Sequence, residues 1–411
     1  MTKAATEEST VSTPKARHFR TIKRTWKKGR FNEYFVIDGD RHVVEPPETF
    51  TSFLESKYQR HGVVVLTDNV TGGTRFLVEG RLYQKPAGPG QGRIEGNSKY
   101  RPRGEKGGLS YEDAYTWVCG PGKVKDMDDA GIDISLWIPT GGLFIPDILD
   151  PELQGAYARA MNNWFSESFC RENPERLWFS ATVPIDPEAG AKEAERAVTR
   201  LGARAIWMRP NIMQGRNWWE DRAFDRLWAT LQDLDVPLVF HEATGAYHTT
   251  LDASHKYSTY WMAHVVSHPV EMTTALVGII GSGILERFPG LRVELCEAGL
   301  SWVPYYLFRL DEHMETRGAG EVKLKMKPSD YFKRQVVVCS FEPEEALFAE
   351  SVRWLGGKNV GATSDYPHWD SSGIDTLHRY IEEFPDFTEV ERHDFLQSNL
   401  CDLFGVTVAE G

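Results

Sequence analysis

From Ile132 onward the chain alternates short apolar, β-branched runs with longer stretches whose apolar residues recur three and four positions apart. IDISLWIP is one such run, ended by Pro139, and the following LDPELQGAYARAMNNWFSESFCREN predicts a helix, with acids near its start and apolar residues on one face. LWFSATVP, ARAIWMRPN, VPLVFHE, LRVELCEAG, VVVCSFE and NVGATSDYPH read as further strands. DPEAGAKEAERAVTRLG, stopped at Gly202, DRAFDRLWATLQDLD and HPVEMTTALVGIIGSGILERFPG read as helices between them. Pro269 sets the expected start of the last of these helices, which leaves His264 outside it.

Strand and helix in strict alternation, with short connections, predict parallel strands joined by crossover helices. Strands at Tyr34, Ile132, Leu177, Ala203, Val236, Leu291, Val336 and Asn359 make eight. That count predicts an α/β fold, a closed (β/α)8 TIM-type barrel. An open doubly wound sheet is the alternative; it would carry a glycine-rich phosphate turn after an early strand, and the sequence has none.

Two segments break the rhythm. Residues 51–125 form a long insertion after the first strand, rich in glycine and proline, and a hairpin is expected within it around Thr71-Gly72-Gly73. Its position on the active face of a barrel suggests a lid or a subunit contact. Residues 1–33 form a polar and then basic arm, disordered if left alone, that could wrap a partner subunit; the barrel proper is expected over 34–411.

Composition narrows the function. The formal charge of −12 argues against a nucleic-acid partner, which would require a basic face. No apolar run reaches the roughly 18 residues of a membrane span. The first residues lack the apolar core of a secretory signal. Cys119, Cys170, Cys296, Cys339 and Cys401 are odd in number and scattered, which suits reduced thiols and a cytoplasmic location.

Barrel enzymes place their chemistry at the C-terminal ends of the strands. Asp38, Asp40 and His42 end the first strand, at alternate positions that would share one face. Arg209 ends the fourth, His241-Glu242 the fifth, Glu297 the sixth, and Ser364-Asp365-Tyr366-Pro367-His368 the eighth. Carboxylates gathered at one dry barrel mouth repel one another unless a cation neutralises them, so a metal site is expected among these acids and imidazoles. Arg209 suits a bidentate clamp on a substrate carboxylate, or a salt bridge to one of the site acids. Asp38 could ligate or orient a ligand, and His368 could ligate or donate from behind one. His264 and His268 read as buried helix-capping histidines, and His248 and His255 as loop residues facing the site.

The segments DGDRHVVEPP, DMDDAGIDISLWIPT, RAIWMRPN, PLVFHE, FPGLRVELCEAGLSWVPYYLFRLDEH and SDYPHWD resemble the amidohydrolase superfamily, in its amidohydrolase-2 branch with the aminocarboxymuconate-semialdehyde and resorcylate-type decarboxylases. The resemblance spans about Tyr34 to Val408 without the insertion. It implies one or two divalent metals held by Asp40, His42, His241, Glu297 and Asp365, with His368 a further candidate ligand. Glu297 stands where the family carries a sixth-strand histidine, and Arg209 where some members carry a carboxylated lysine.

Carboxylate-rich sites suit harder ions such as manganese or iron(II), whereas imidazole-rich ones suit zinc. The resemblance therefore extends to an oxygen-activating offshoot containing 2-aminoisobutyrate hydroxylase and a diterpenoid monooxygenase. On that basis the expected function is a dinuclear Fe/Mn monooxygenase, an oxidoreductase using dioxygen on a small carboxylate or amino acid. The alternative is a mononuclear hydrolase or non-oxidative decarboxylase, with zinc and with Glu297 or His368 as base. A third reading is a non-catalytic subunit, and a homo- or hetero-oligomer is expected in either case.

Overall fold

A computed structural model describes residues 16–43, 45–46, 49–67, 74–82, 121–211, 217–243, 257, 260–340, 345–366, 368 and 375–409. Its centre is an eight-stranded parallel sheet in the order β12-β11-β10-β9-β8-β7-β6-β2. The strands are β2 (Ile37–Val43), β6 (Ile134–Pro139), β7 (Leu177–Thr182), β8 (Ala205–Met208), β9 (Leu238–Phe240), β10 (Val293–Leu295), β11 (Val336–Ser340) and β12 (Val360–Ala362). All are buried along their whole length, as expected of strands covered by helices on the outside and side chains on the inside. The (β/α)8 barrel expected from the sequence is the fold observed.

The seam between the last strand and the first closes just past the end of β12. Asp365 N donates to Asp40 O at 2.9 Å, His42 N to Tyr366 O at 3.0 Å, and Arg41 and Tyr366 form a parallel bridge. Barrel closure thus sets Asp40 and Asp365 side by side on adjacent chains, although they are far apart in sequence.

β2 does not keep the alternation its sequence suggests. Its register with β6 shifts between Asp38 and Arg41, so three steps on β2 oppose two on its partner. Such a bulge re-aims the side chains beyond it. Asp38 consequently accepts from Ser364 N at 3.0 Å and Ser364 Oγ at 2.5 Å, with Arg41 Nε at 3.7 Å. It braces the start of the eighth-strand loop.

The helices follow the expected pattern in most places. Asp150 and Asp186 cap Pro151–Trp164 and Pro187–Arg196, each accepting from two backbone N–H groups beyond a first-turn proline. Gly202 ends the latter run in the left-handed region (φ 81°). One helix departs from expectation. It runs from Tyr260 to Gly281, so Pro269 lies inside it. Proline removes one backbone donor, and the helix tolerates the loss. His264 and His268 therefore sit four apart on one helical face, their ring centroids 4.4 Å apart.

The described part of the N-terminal arm packs on its own barrel. β1 (Arg20–Ile22) pairs in parallel with β13 (Val406–Val408). Lys28 is buried, with Nζ 2.6 Å from Asp133 Oδ2, and Trp26 Nε1 donates to Asp133 Oδ1 at 3.0 Å. In the insertion, β3 (Val64–Thr67), β4 (Thr74–Val78) and β5 (Arg81–Leu82) form an antiparallel sheet. The turn expected at Thr71–Gly73 lies outside the described residues, as does most of the insertion. Glu79, just past β4, accepts from Leu149 N at 2.8 Å and Asp150 N at 3.0 Å, fastening the sheet to the loop after β6.

Candidate metal centre

At the C-terminal mouth of the barrel, Asp40, His42, His241 and Asp365 each offer a ligand atom, and these atoms all lie within 4.8 Å of one another. All four residues are buried. His42 Nε2 lies 3.2 Å from Asp40 Oδ1 and 3.4 Å from Asp365 Oδ1. His241 Nε2 lies 3.0 Å from His42 Nε2 and 3.7 Å from Asp40 Oδ1.

The tautomer of His241 follows from its neighbours. Its Nδ1 is 2.6 Å from the Glu242 carbonyl oxygen, which can only accept. Nδ1 therefore carries the proton, and in the neutral ring Nε2 presents its lone pair to the cluster. His42 Nδ1 has Thr140 Oγ1 as partner at 3.2 Å, so it too turns Nε2 inward. Two lone-pair nitrogens facing each other at this distance repel unless a cation or a proton lies between them.

Neither oxygen of Asp40 accepts a hydrogen bond, although the side chain is wholly buried. A carboxylate so placed is costly without a positive charge near it. Burial pushes the Asp40 carboxyl up to about 6; His241 opposes the rise and Glu297 adds to it. The orphaned oxygens, the inward imidazole nitrogens and the hard donor set fit a divalent cation.

Two of the site residues hold their place by backbone conformation. Glu297 (φ 60°) and Asp365 (φ 49°) both lie in the left-handed region without being glycine. Such residues cost on the order of 1 kcal/mol or more and cluster where a side chain must be aimed. Glu297 Oε2 lies 3.0 Å from His241 Nε2 and 3.3 Å from His268 Nδ1. Burial alone would raise its pKa, but His268 and His241 outweigh it and hold the carboxyl well below the usual range. His368 Nδ1 is 2.7 Å from Asp365 Oδ1, and its Nε2 is 3.4 Å from Thr140 Oγ1.

Of the other sequence candidates, Arg209 is buried at the mouth with its fork engaged. Its Nη1 donates to Asp147 Oδ2 at 2.9 Å and its Nε to Asn211 Oδ1 at 3.0 Å. The acid it pairs with lies on the turn after β6, outside the metal cluster. Asp38 is turned to Ser364, and His248 and His255 lie outside the described residues. Sequence reasoning passed over Thr140, which joins His42 to His368. It ends β6 as the other candidates end their strands, but a search restricted to ionisable residues could not register a hydroxyl.

Comparison with known proteins agrees with this geometry. The family described as Amidohydrolase (Amidohydro_2) matches residues 122–406. The chain belongs to the amidohydrolase-2 family.

Among solved structures, an amidohydrolase of Mycobacterium avium subsp. paratuberculosis superposes with a TM-score of 0.75 at 23% identity, covering 92% of this chain and 99% of that one. The 5-carboxyvanillate decarboxylase of Novosphingobium aromaticivorans, complexed with manganese and 4-hydroxy-3-methoxy-5-nitrobenzoic acid, gives a TM-score of 0.64 at 21% identity, covering 92% and 98%. Both likenesses concern the fold. Among curated relatives, a 2-amino-3-carboxymuconate-6-semialdehyde decarboxylase of Dictyostelium discoideum is 25% identical over 57% of this amidohydrolase-2 chain and 63% of its own length. A gamma-resorcylate decarboxylase of Rhodococcus jostii is 25% identical over 69% of this chain and 86% of its own. The first of these alignments spans less than two thirds of the relative.

These findings correct the expected reaction. The curated relatives named above and the carboxyvanillate enzyme are decarboxylases, so the oxidoreductase reading gives way to the lyase alternative. The error is chemical in origin. A carboxylate-rich donor set selects a hard ion; it does not say whether the ion will exchange electrons. No helix among the described residues is long and apolar enough to cross a membrane.

Proposed function

We propose that this amidohydrolase-2 protein is a metal-dependent decarboxylase acting on a small aromatic carboxylate, with Asp40, His42, His241 and Asp365 holding one divalent cation, manganese before zinc or iron. The observation that carries the reading is the convergence of those four ligand atoms within 4.8 Å at the barrel mouth. The decarboxylase relatives supply the reaction class. A cation bound there supplies Lewis-acid polarisation of a substrate oxygen.

The chain's own residues must manage a proton. Loss of CO2 from an aromatic acid leaves an electron pair on the ring carbon, and that carbon must be protonated. Glu297 is held ionised between His241 and His268 and is a poor donor. His368 is better placed: it hydrogen-bonds Asp365 and Thr140, and its side chain is 12% exposed, so it can exchange protons with water at the rim. In this reading His368 delivers the proton, and the Glu242 carbonyl oxygen orients His241 through Nδ1. Arg209 serves the wall of the site by holding Asp147 and Asn211 rather than by clamping substrate.

The test is CO2 release from a panel of hydroxybenzoates by the manganese-loaded protein under anaerobic conditions. Turnover of at least one member is expected without oxygen. His241→Ala and Asp365→Asn should each lower kcat/KM by about 100-fold or more through loss of the cation. His368→Gln should lower kcat while manganese content is retained. Absence of CO2 release across the panel from fully loaded protein would overturn the reading.

A further inference from the structure

The face opposite the metal centre carries a cleft of about 250 Å3 at the N-terminal ends of β10, β11 and β12. Arg17, Arg292, Lys333, Arg334 and Lys358 line it, and Asp402 is the one acid in its described lining. These cations come from segments far apart in a chain whose formal charge is −12. Composition therefore does not account for their meeting. Barrel enzymes keep their chemistry at the other face, so the catalytic site does not account for it either.

The backbone under these cations is pinned from inside. Asn359, in the left-handed region at φ 66°, donates through Nδ2 to Lys333 O at 3.0 Å and Val336 O at 2.8 Å. That fixes the end of the helix Pro328–Gln335, where Lys333 and Arg334 lie. Asn399 Nδ2 donates to Gly357 O at 2.9 Å and Val360 O at 2.8 Å, which holds the turn carrying Lys358. Arg292 is buried, with Nε on Leu403 O at 2.6 Å. A wall held in this way loses little freedom when a ligand arrives.

The cations are only partly neutralised. Asp235 faces both Arg292 and Arg17, and Lys358 Nζ lies 2.7 Å from Asp394 Oδ1. Arg334 places Nε on Gln335 Oε1 and Nη2 on Leu285 O, both neutral acceptors. Glu286, whose charge is felt by Arg334, is held by Lys325 at 2.9 Å. Lys333 makes no ion pair among the described residues. Five cations thus meet three carboxylates, Asp402, Asp235 and Asp394, and two positive charges are left over. Burial, and after it the neighbouring Arg292, lowers the pKa of Arg17, as expected where like charges crowd. A bound dianion removes the surplus.

We propose that this cleft binds a phosphoryl dianion, with Lys333 and Arg334 as direct donors and Arg17, Arg292 and Lys358 supplying the surrounding positive field. A guanidinium fork beside an ammonium group suits the oxygens of a phosphate. A phosphoryl group carries about two negative charges near neutral pH, which matches the surplus. Free phosphate and a small phosphorylated molecule share this chemistry. The site is independent of the cation at the barrel mouth and of the reaction proposed there.

The experiment is calorimetric titration and thermal unfolding of the full chain in chloride buffer at fixed ionic strength. Inorganic phosphate is the probe in one arm and ribose 5-phosphate in the other. One ligand per chain is expected, with a rise in melting temperature. Tighter binding of ribose 5-phosphate assigns the cleft to a phosphorylated small molecule, and equal binding assigns it to free phosphate. Lys333→Ala/Arg334→Ala, at two exposed positions, should weaken binding about 10-fold or more with an unchanged circular-dichroism spectrum. Should that pair fail to fold, Lys333→Gln should show a smaller loss in the same direction. Asp365→Asn, which alters the metal centre, should bind phosphate as the wild type does. Neither heat nor stabilisation at about 10 mM of either probe, well above a Kd of about 1 mM, overturns the site. Undiminished affinity in the double variant overturns the assignment of Lys333 and Arg334. Loss of binding in Asp365→Asn overturns the cleft in favour of the barrel mouth.

Discussion

Glu45 shows how a single buried acid records its surroundings. It lies just past β2, buried, and its Oε2 accepts from Gly141 N at 2.7 Å and Gly142 N at 3.3 Å. Burial nevertheless pushes its carboxyl up to about 8, the backbone N–H groups opposing but not cancelling the rise. The folded chain therefore binds this proton more tightly than the unfolded chain. Its stabilising effect is complete below the unfolded value and is lost as pH rises toward about 8. Glu45→Gln removes this dependence. Urea unfolding should show wild-type stability falling relative to the variant between pH 5 and 8, by up to about 1.4 kcal/mol per pH unit, and the difference levelling off above that. Parallel pH profiles for the two proteins would sink the assignment. The positive φ angles of Glu297 and Asp365 belong to the same scale. Neither angle is written in the local sequence; both are imposed by what the side chains must reach.

At the scale of elements, the N-terminal arm is held by one buried ion pair more than by its strand. β1 is three residues long, and its pairing with β13 is slight. Asp133 does more, accepting from Lys28, Trp26 and the Val36 backbone at 2.6 to 3.0 Å. Removing one partner of such a pair leaves an uncompensated charge. Lys28→Met is expected to destabilise the protein by about 3 kcal/mol, at the lower end of the range because other donors remain. A melting temperature unchanged in the variant would show the arm to be an ornament. The basic run that suggests a partner-wrapping arm thus finds its acid within the same chain. The helix through Pro269 makes a parallel point. A proline reads as a start signal when only local rules apply, yet packing carries the helix two turns further back and brings His264 to the barrel mouth.

At the scale of the whole molecule, the site lies on the seam where β2 meets the segment after β12. Asp40 and Asp365 are joined there by a backbone hydrogen bond and by their shared neighbour His42. A cation at that point would tie first strand to last and would bind the folded state alone. Chelation should therefore lower the melting temperature, and readdition of manganese at about 100 times its Kd should restore about 2.7 kcal/mol. Asp40→Asn should abolish the response. A wild-type melting curve indifferent to chelator and manganese would contradict a cation at the seam.

The eight strands, their order, the helix caps at Asp150 and Asp186 and the stop at Gly202 are all carried by local pattern, because periodicity and turn chemistry act over a few residues. The convergence of these side chains was legible for a related reason: barrel topology delivers every strand end to one mouth, and Asp40, His42, His241, Glu297 and Asp365 meet there. Tertiary structure alone decided the rest. The bulge in β2 turned Asp38 from the cluster to Ser364, the Tyr260–Gly281 helix brought His264 and His268 to Glu297, and Asp133 drew in Lys28. Each of these depends on contacts between residues distant in sequence, whose energies outweigh local preference and leave no trace in it.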